Sequence, residues 1–250
     1  MLQTIRILNL GLFLGITFLV GVGLKHQDPT GKSLFNGNDF TGWKLPAGDN
    51  GHWKVIDGII DYDAESEAPG EKSLWTEKEY QDFVLRLEWR IKGTPYVNPR
   101  VPIILPDGSH KRDVYGEVIR ISVPDSDSGI FLRGMTKAQV NIWCWPIGSG
   151  EVYGYRMDNS LPTSVRAGVT PRVIADKNLG EWNTFEITLI GDQLTVQLND
   201  QLVLEKASLP GIPDRGPIGL QHHGSKKSGQ WVSPPSLVQF RNISIQELGD

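Results

Sequence analysis

Cysteine is almost absent: Cys144 is the only one in 250 residues. An intramolecular disulfide is therefore excluded, and no Cys/His grouping has the spacing of a zinc site. Basic blocks are missing too. The formal net charge is −4 and the pI about 5.8, which argues against a nucleic-acid partner. Neither an amphipathic helix of useful length nor an internal repeat can be read along the chain. Glycine (28) and proline (16), by contrast, are frequent, and hydrophobic residues make up 39%. That balance favours a turn-rich β protein, long enough to bury a proper core.

The first 24 residues stand apart. Arg6 precedes "ILNLGLFLGITFLVGVGL", an apolar run ended by "KHQDPTGK". It reads as a secretory signal peptide, with an uncleaved membrane anchor over residues 7–24 as the alternative. Either way the expectation is an exported protein, periplasmic or extracellular, touching a membrane only through this segment.

Beyond the leader, strand-like runs alternate with turn signals. "HWKVIDGIIDYD" places Asp57-Gly58 between β-rich flanks, a hairpin signal. "DFVLRLEWRIK" alternates Phe83, Leu85, Leu87, Trp89 and Ile91 against Val84, Arg86, Glu88 and Arg90. "TFEITLIGDQLTVQLNDQLVLEK" reads as three strands joined at Gly191-Asp192 and Asn199-Asp200, and "PIGLQHHG" and "SLVQFRNISIQEL" supply two more. Many short antiparallel strands imply a sandwich or jelly roll. The segment "GTPYVNPRVPIILPDGSHKRDVYGE", residues 93–117, interrupts that rhythm and reads as an inserted loop: surface decoration, or a cover over the mouth of a site.

The faces of these strands carry the chemistry. In "QVNIWCWPIGSGEVYGYR", residues 139–156, Gln139, Asn141, Trp143 and Trp145 share one side, and Val140, Ile142 and Cys144 share the other. Glu151, Tyr153 and Tyr155 line up on the expected return strand. In "DSGIFLRG", Asp127, Phe131 and Arg133 oppose Ile130 and Leu132. In "PIGLQHHG", Gln221 and His223 oppose Ile218, Leu220 and His222. A face that met only water would be expected to carry Lys, Thr, Ser and Glu. Trp, Tyr, Arg, Gln, Asn and His instead suit a sugar, whose C–H face packs on indole while its hydroxyls take directional hydrogen bonds. Taken singly, each is as readily structural: a strand Trp as packing, Glu88 as an ion pair with an arginine, His223 as a capping histidine, and Cys144 as a buried small hydrophobe.

Five segments in order resemble a known family: "SLFNGNDFTGW", "DFVLRLEWRI", "DSGIFLRG", "GEWNTFEITLIGDQLTVQLN" and "GPIGLQHHG…VQFRNISIQEL". Together, over residues 33–248, they are similar to the 3-keto-disaccharide hydrolase family. The resemblance implies an all-β, concanavalin A-like jelly-roll sandwich of two antiparallel sheets, export, and action on glycosides oxidised at C3. The family's "EWR" matches Glu88, Trp89 and Arg90, and its "NSGI…R" matches Asp127 to Ile130 and Arg133, with Asp127 in place of Asn. Its glutamine strand matches only through Gln139, and Lys137 stands where an acid is usual. Glu151 fills a normally small position, and "LQ-x-HG" matches Leu220, Gln221, His223 and Gly224.

A C3 ketone acidifies the C2 proton. A base that removes it gives an enolate, which expels the C1 oxygen by β-elimination; water then adds back. The expected base is His223. Glu88 is the alternative base or the leaving-group acid, and Arg133, with Arg90, the enolate stabiliser. Gln139, Asn141, Asp127, Gln221 and Glu151 would orient hydroxyls over a platform of Trp143, Trp145 and Tyr153. No cofactor is indicated. A divalent ion held by Asp125, Asp127, Glu88 and His223 could replace arginine, but nothing in their spacing argues for it. Two other readings stand beside it: a non-catalytic carbohydrate-binding module using the same face, and a structural or partner-binding role in the envelope, which a large exposed apolar patch outside the groove would support. A retaining glucanase would carry an E-x-D-x-x-E strand, and none is present.

Overall fold

The computed structural model describes residues 31–249; the expected leader, residues 1–24, lies outside them. The chain opens with β1 (Lys32–Ser33), β2 (Trp43–Lys44), β3 (Trp53–Ile56) and β4 (Ile59–Tyr62). β5 (Leu74–Tyr80), β6 (Phe83–Ile91), β7 (Tyr96–Pro102) and β8 (Arg120–Asp125) follow, then β9 (Asp127–Leu132) and β10 (Met135–Trp143). Two short helices, α1 (Tyr153–Arg156) and α2 (Thr163–Gly168), precede β11 (Asn183–Ile190), β12 (Gln193–Leu198) and β13 (Gln201–Ser208). β14 (Gly216–Leu220), β15 (Ser225–Lys227), β16 (Gln230–Ser233) and β17 (Val238–Glu247) complete it.

Two antiparallel sheets form the sandwich. One runs β13-β12-β11-β6-β17-β4-β3, with β1 added beside β17; the other runs β10-β9-β14-β5-β2. This is the all-β, concanavalin A-like jelly roll. Alternation sets the faces: along β6 every odd-numbered residue from Phe83 to Ile91 is buried, and the residues between are half-buried. Those odd-numbered residues join Ile130, Leu132, Val140, Ile142, Ile218 and Leu220 of the second sheet in one core. The Asp57-Gly58 turn has positive φ at both positions (50° and 76°), as a type I′ hairpin requires, and so does Asn199-Asp200 (52° and 64°).

Two elements differ from the sequence expectation. Residues 149–151 do return beside β10, with Asn141 N donating to Glu151 O (2.9 Å) and Gly150 N to Asn141 O (2.8 Å). The return then ends, because the Val152 carbonyl accepts from the amides of Tyr155 and Arg156 and the chain coils into α1. Tyr153 and Tyr155 therefore lie on a helical turn, not a strand. The inserted segment is also not a loop. β7 pairs with β8, and beyond them Ile104 bridges to His110 and Arg112 to Val118, making a folded β arm. Its Gly108 (φ 79°) sits so close to α2 that a Cβ there would lie 2.9 Å from the Arg166 carbonyl and the Thr170 hydroxyl.

Candidate active site

The outer face of the five-stranded sheet gathers most of the expected residues at one end of β9, β10 and β14. Asp127 and Trp143 are directly paired across β9 and β10, as are Gly129 and Asn141. Gly129 leaves the floor open for Gln139: a Cβ there would lie 2.7 Å from Gln139 Cγ. The Gln139 amide spans the sheet, donating from Nε2 to Ser128 O (3.1 Å) and to Gln221 Oε1.

His223 lies just past β14. Its backbone amide donates to Ser236 Oγ (2.6 Å), and that hydroxyl donates onward to Asp127 O (2.7 Å). Ser236 is fully buried, so it ties the histidine loop to the start of β9. The ring is oriented separately: Nδ1 lies 2.6 Å from the Pro234 carbonyl. A carbonyl can only accept, so Nδ1 carries a proton, and in the neutral ring the lone pair is on Nε2. His222 faces inward, with Nδ1 2.6 Å from the Tyr62 hydroxyl; burial first, and then the charge of Lys72, lower its pKa to about 4.

Asp127 lies in the field of His223. Burial pushes its carboxyl up to about 7, with the His223 charge opposing and the Asp125 charge reinforcing the rise. Asp125 is fully buried and accepts from Asn98 Nδ2 (2.9 Å) and Trp145 Nε1 (3.0 Å). Burial raises its pKa as well. Asn98 comes from the arm and carried no signal in the sequence; Asp125 stood out there only as a candidate metal ligand.

The aromatic platform is narrower than expected. Trp143 and Trp145 stack on each other, centroids 4.1 Å apart and planes within 4°. Trp143 is buried, so one indole covers the other instead of both facing a ligand. Tyr153 meets both edge-on, at 6.0 and 6.2 Å, and remains exposed.

Four expected site residues do not join this cluster. Glu151 is fully buried and ion-paired with the equally buried Arg156, because α1 brings that guanidinium back over the strand. The arm closes on the pair: His110 Nε2 lies 3.1 Å from Arg156 Nη1, and burial lowers the His110 pKa. Arg133 sits at the opposite end of β9, at a turn residue with φ 47°, where strand alternation stops. Its guanidinium donates to the carbonyls of Gln81 (2.6 Å), Gly191 (2.7 Å) and Pro213 (3.1 Å) and to Asp82 Oδ1 (2.8 Å). Glu88 and Arg90 face outward from the other sheet. Glu88 accepts from Arg241 Nε (2.8 Å) and Asn242 Nδ2 (2.8 Å), and Arg90 Nε donates to Gln239 (2.6 Å). The four-residue metal set is therefore not assembled. Among the described residues, no group of three or more His, Cys, Asp or Glu could hold a metal ion.

Comparison with known proteins agrees with this architecture. A candidate glycosyl hydrolase from Parabacteroides distasonis superposes with a TM-score of 0.55 at 22% identity, over 87% of this chain and 84% of its own. A second from the same organism gives 0.51 at 18% identity, over 86% and 93%. At such identities the likeness shows the fold alone. No curated protein matches the chain. A family model described as a 3-keto-alpha-glucoside-1,2-lyase-like domain matches residues 30–246.

Proposed function

From the premise that this chain belongs to the 3-keto-alpha-glucoside-1,2-lyase-like family, we propose that it cleaves glycosidic bonds of sugars carrying a ketone at C3. The observation that carries the reading is that His223 and Asp127 lie in each other's field, tied through Ser236 by their backbones. A backbone carbonyl presents Nε2 of one as a base, and burial keeps the other protonated to about 7.

His223 Nε2 takes the C2 proton. The C–H electrons move toward C3, and the ketone oxygen becomes the enolate. The Gln221 amide donors, left after its carbonyl accepts from Gln139, stabilise that charge. As the enolate collapses the C1–O bond breaks, and Asp127 protonates the departing oxygen. Water adding at C1 completes a net hydrolysis; release before that step makes the protein a lyase. The ketone is already present in the substrate, so no redox partner is required. Asn141 and the edge of Trp145 bound the sugar. Export, expected from the apolar run in the first 24 residues, would put this activity outside the cytoplasm.

The test follows 3-keto-glucosides and their unoxidised parents by NMR in deuterated water with the full chain. Cleavage of the keto forms alone, with deuterium entering at C2, is expected. Sugars that perturb the tryptophans without any cleavage would make this face a binding platform instead.

A further inference from the structure

Asp125 has no step in the cleavage proposed above, yet groups from separate parts of the chain converge on it. It is fully buried. Asn98 Nδ2 (2.9 Å) and Trp145 Nε1 (3.0 Å) both reach Oδ2, and the Cys144 amide reaches Oδ1 (3.4 Å). All three donate. The Asn98 amide is not free to turn and accept instead, because its Oδ1 already takes the Arg100 amide (3.2 Å). A protonated carboxyl would need an acceptor for its O–H, so these donors hold Asp125 as the carboxylate, against the burial that raises its pKa.

The arm presents Asn98. Tyr96 pairs with Asp125 across β7 and β8, and Asn98, two residues on, falls on the same face. Trp145 lies beyond the end of β10 at Trp143, so the strand ladder does not orient it. Stacking on Trp143 sets the plane of its indole but lets the ring turn within that plane. The bond from Nε1 to Asp125 stops that turn and decides which edge faces the sugar.

We propose that Asn98 and Asp125 are positioning residues of this site: the arm holds the Asp125 carboxylate through Asn98, and the carboxylate holds the Trp145 indole at the angle that bounds the sugar. The inserted arm thereby governs how tightly the sugar binds without touching it. The inference rests on the sugar lying against Trp145, as proposed above, and not on the bond cleavage.

The test uses methyl 3-keto-glucoside and the full chain, isotopically labelled at its indole nitrogens for NMR. Trp145→Phe identifies the Trp145 N–H resonance. Asn98→Ala, on a half-buried face of the arm, should shift that resonance and raise KM about fivefold, with kcat within about twofold of the parent. Arg100→Ala, an exposed arm side chain two residues away, should change neither. An unmoved resonance or an unchanged KM in Asn98→Ala overturns the proposal, as does an equal effect from Arg100→Ala. A lower melting temperature with both readouts intact would make the clamp structural only. Where no keto-glycoside is cleaved, the dissociation constant of the same sugar is read in place of KM. A rise in it on Asn98→Ala would then remove the proposed reaction and leave the positioning role standing; no binding of the sugar at all would overturn both.

Discussion

At Asp127 a carboxyl held up to about 7, against an ordinary value of 3.8, couples stability to pH. The folded state holds a proton there that the unfolded chain has lost between those values. Its stabilising effect is complete below the lower one and lost as pH rises through the upper. Asp127→Asn should therefore raise the melting temperature at about pH 8 and leave it nearly unchanged at about pH 4. In the proposed reaction the same group is the acid: the rate should fall as Asp127 ionises, and the asparagine variant, slower throughout, should lack that alkaline limb. His223→Ala should lower kcat by about 10²- to 10⁴-fold with the thermal unfolding curve intact. An equal rate in that variant would remove His223 as the base. Histidine, glutamine and aspartate were legible here because each sits on a strand, or at its edge, with period two. The orienting groups were not, since Pro234 O and Ser236 arrive from a remote loop.

Among the elements, α1 and the arm were the parts sequence reading missed, and they depend on one buried charge pair. Glu151 and Arg156 are at most 1% exposed, and α1, α2 and Gly108 of the arm close around them. Arg156→Met would strand Glu151 without its counter-charge and should cost about 3–5 kcal/mol of stability in urea unfolding. The exposed pair of Arg172 with Glu205 of β13 gives the contrast: Arg172→Met should cost less than about 1 kcal/mol. If the two variants unfold alike, the buried pair does not hold α1 in place. Alternation suggested a continuing strand through Glu151, Tyr153 and Tyr155. The helical turn wins because Val152 finds partners within its own chain, and because Gly154 lets α1 approach β10, where a Cβ would lie 2.6 Å from the Lys137 carbonyl.

Over the whole molecule, Arg133 joins the two sheets. Its partners lie in the β5–β6 turn, the β11–β12 turn and the β13–β14 connection, where the chain passes between sheets or reverses within one. Arg133→Met leaves several carbonyls without a donor and should lower stability by at least about 3 kcal/mol. At temperatures where the variant is folded, kcat should be unchanged. A selective loss of kcat with normal unfolding would instead restore a catalytic role.

The sequence by itself determined the fold class, because strand alternation and the Asp-Gly and Asn-Asp turns are local properties of the chain. It also determined which side of each strand avoids the core. It could not say which outer face a polar residue would join, since a sandwich has two and alternation is identical on both. Glu88 and His223 each oppose a row of core residues, yet pairing β6 with β11 and β17 sends Glu88 to one face, while pairing β14 with β9 sends His223 to the other. Those pairings link residues far apart in the chain, and only the assembled tertiary structure decides them.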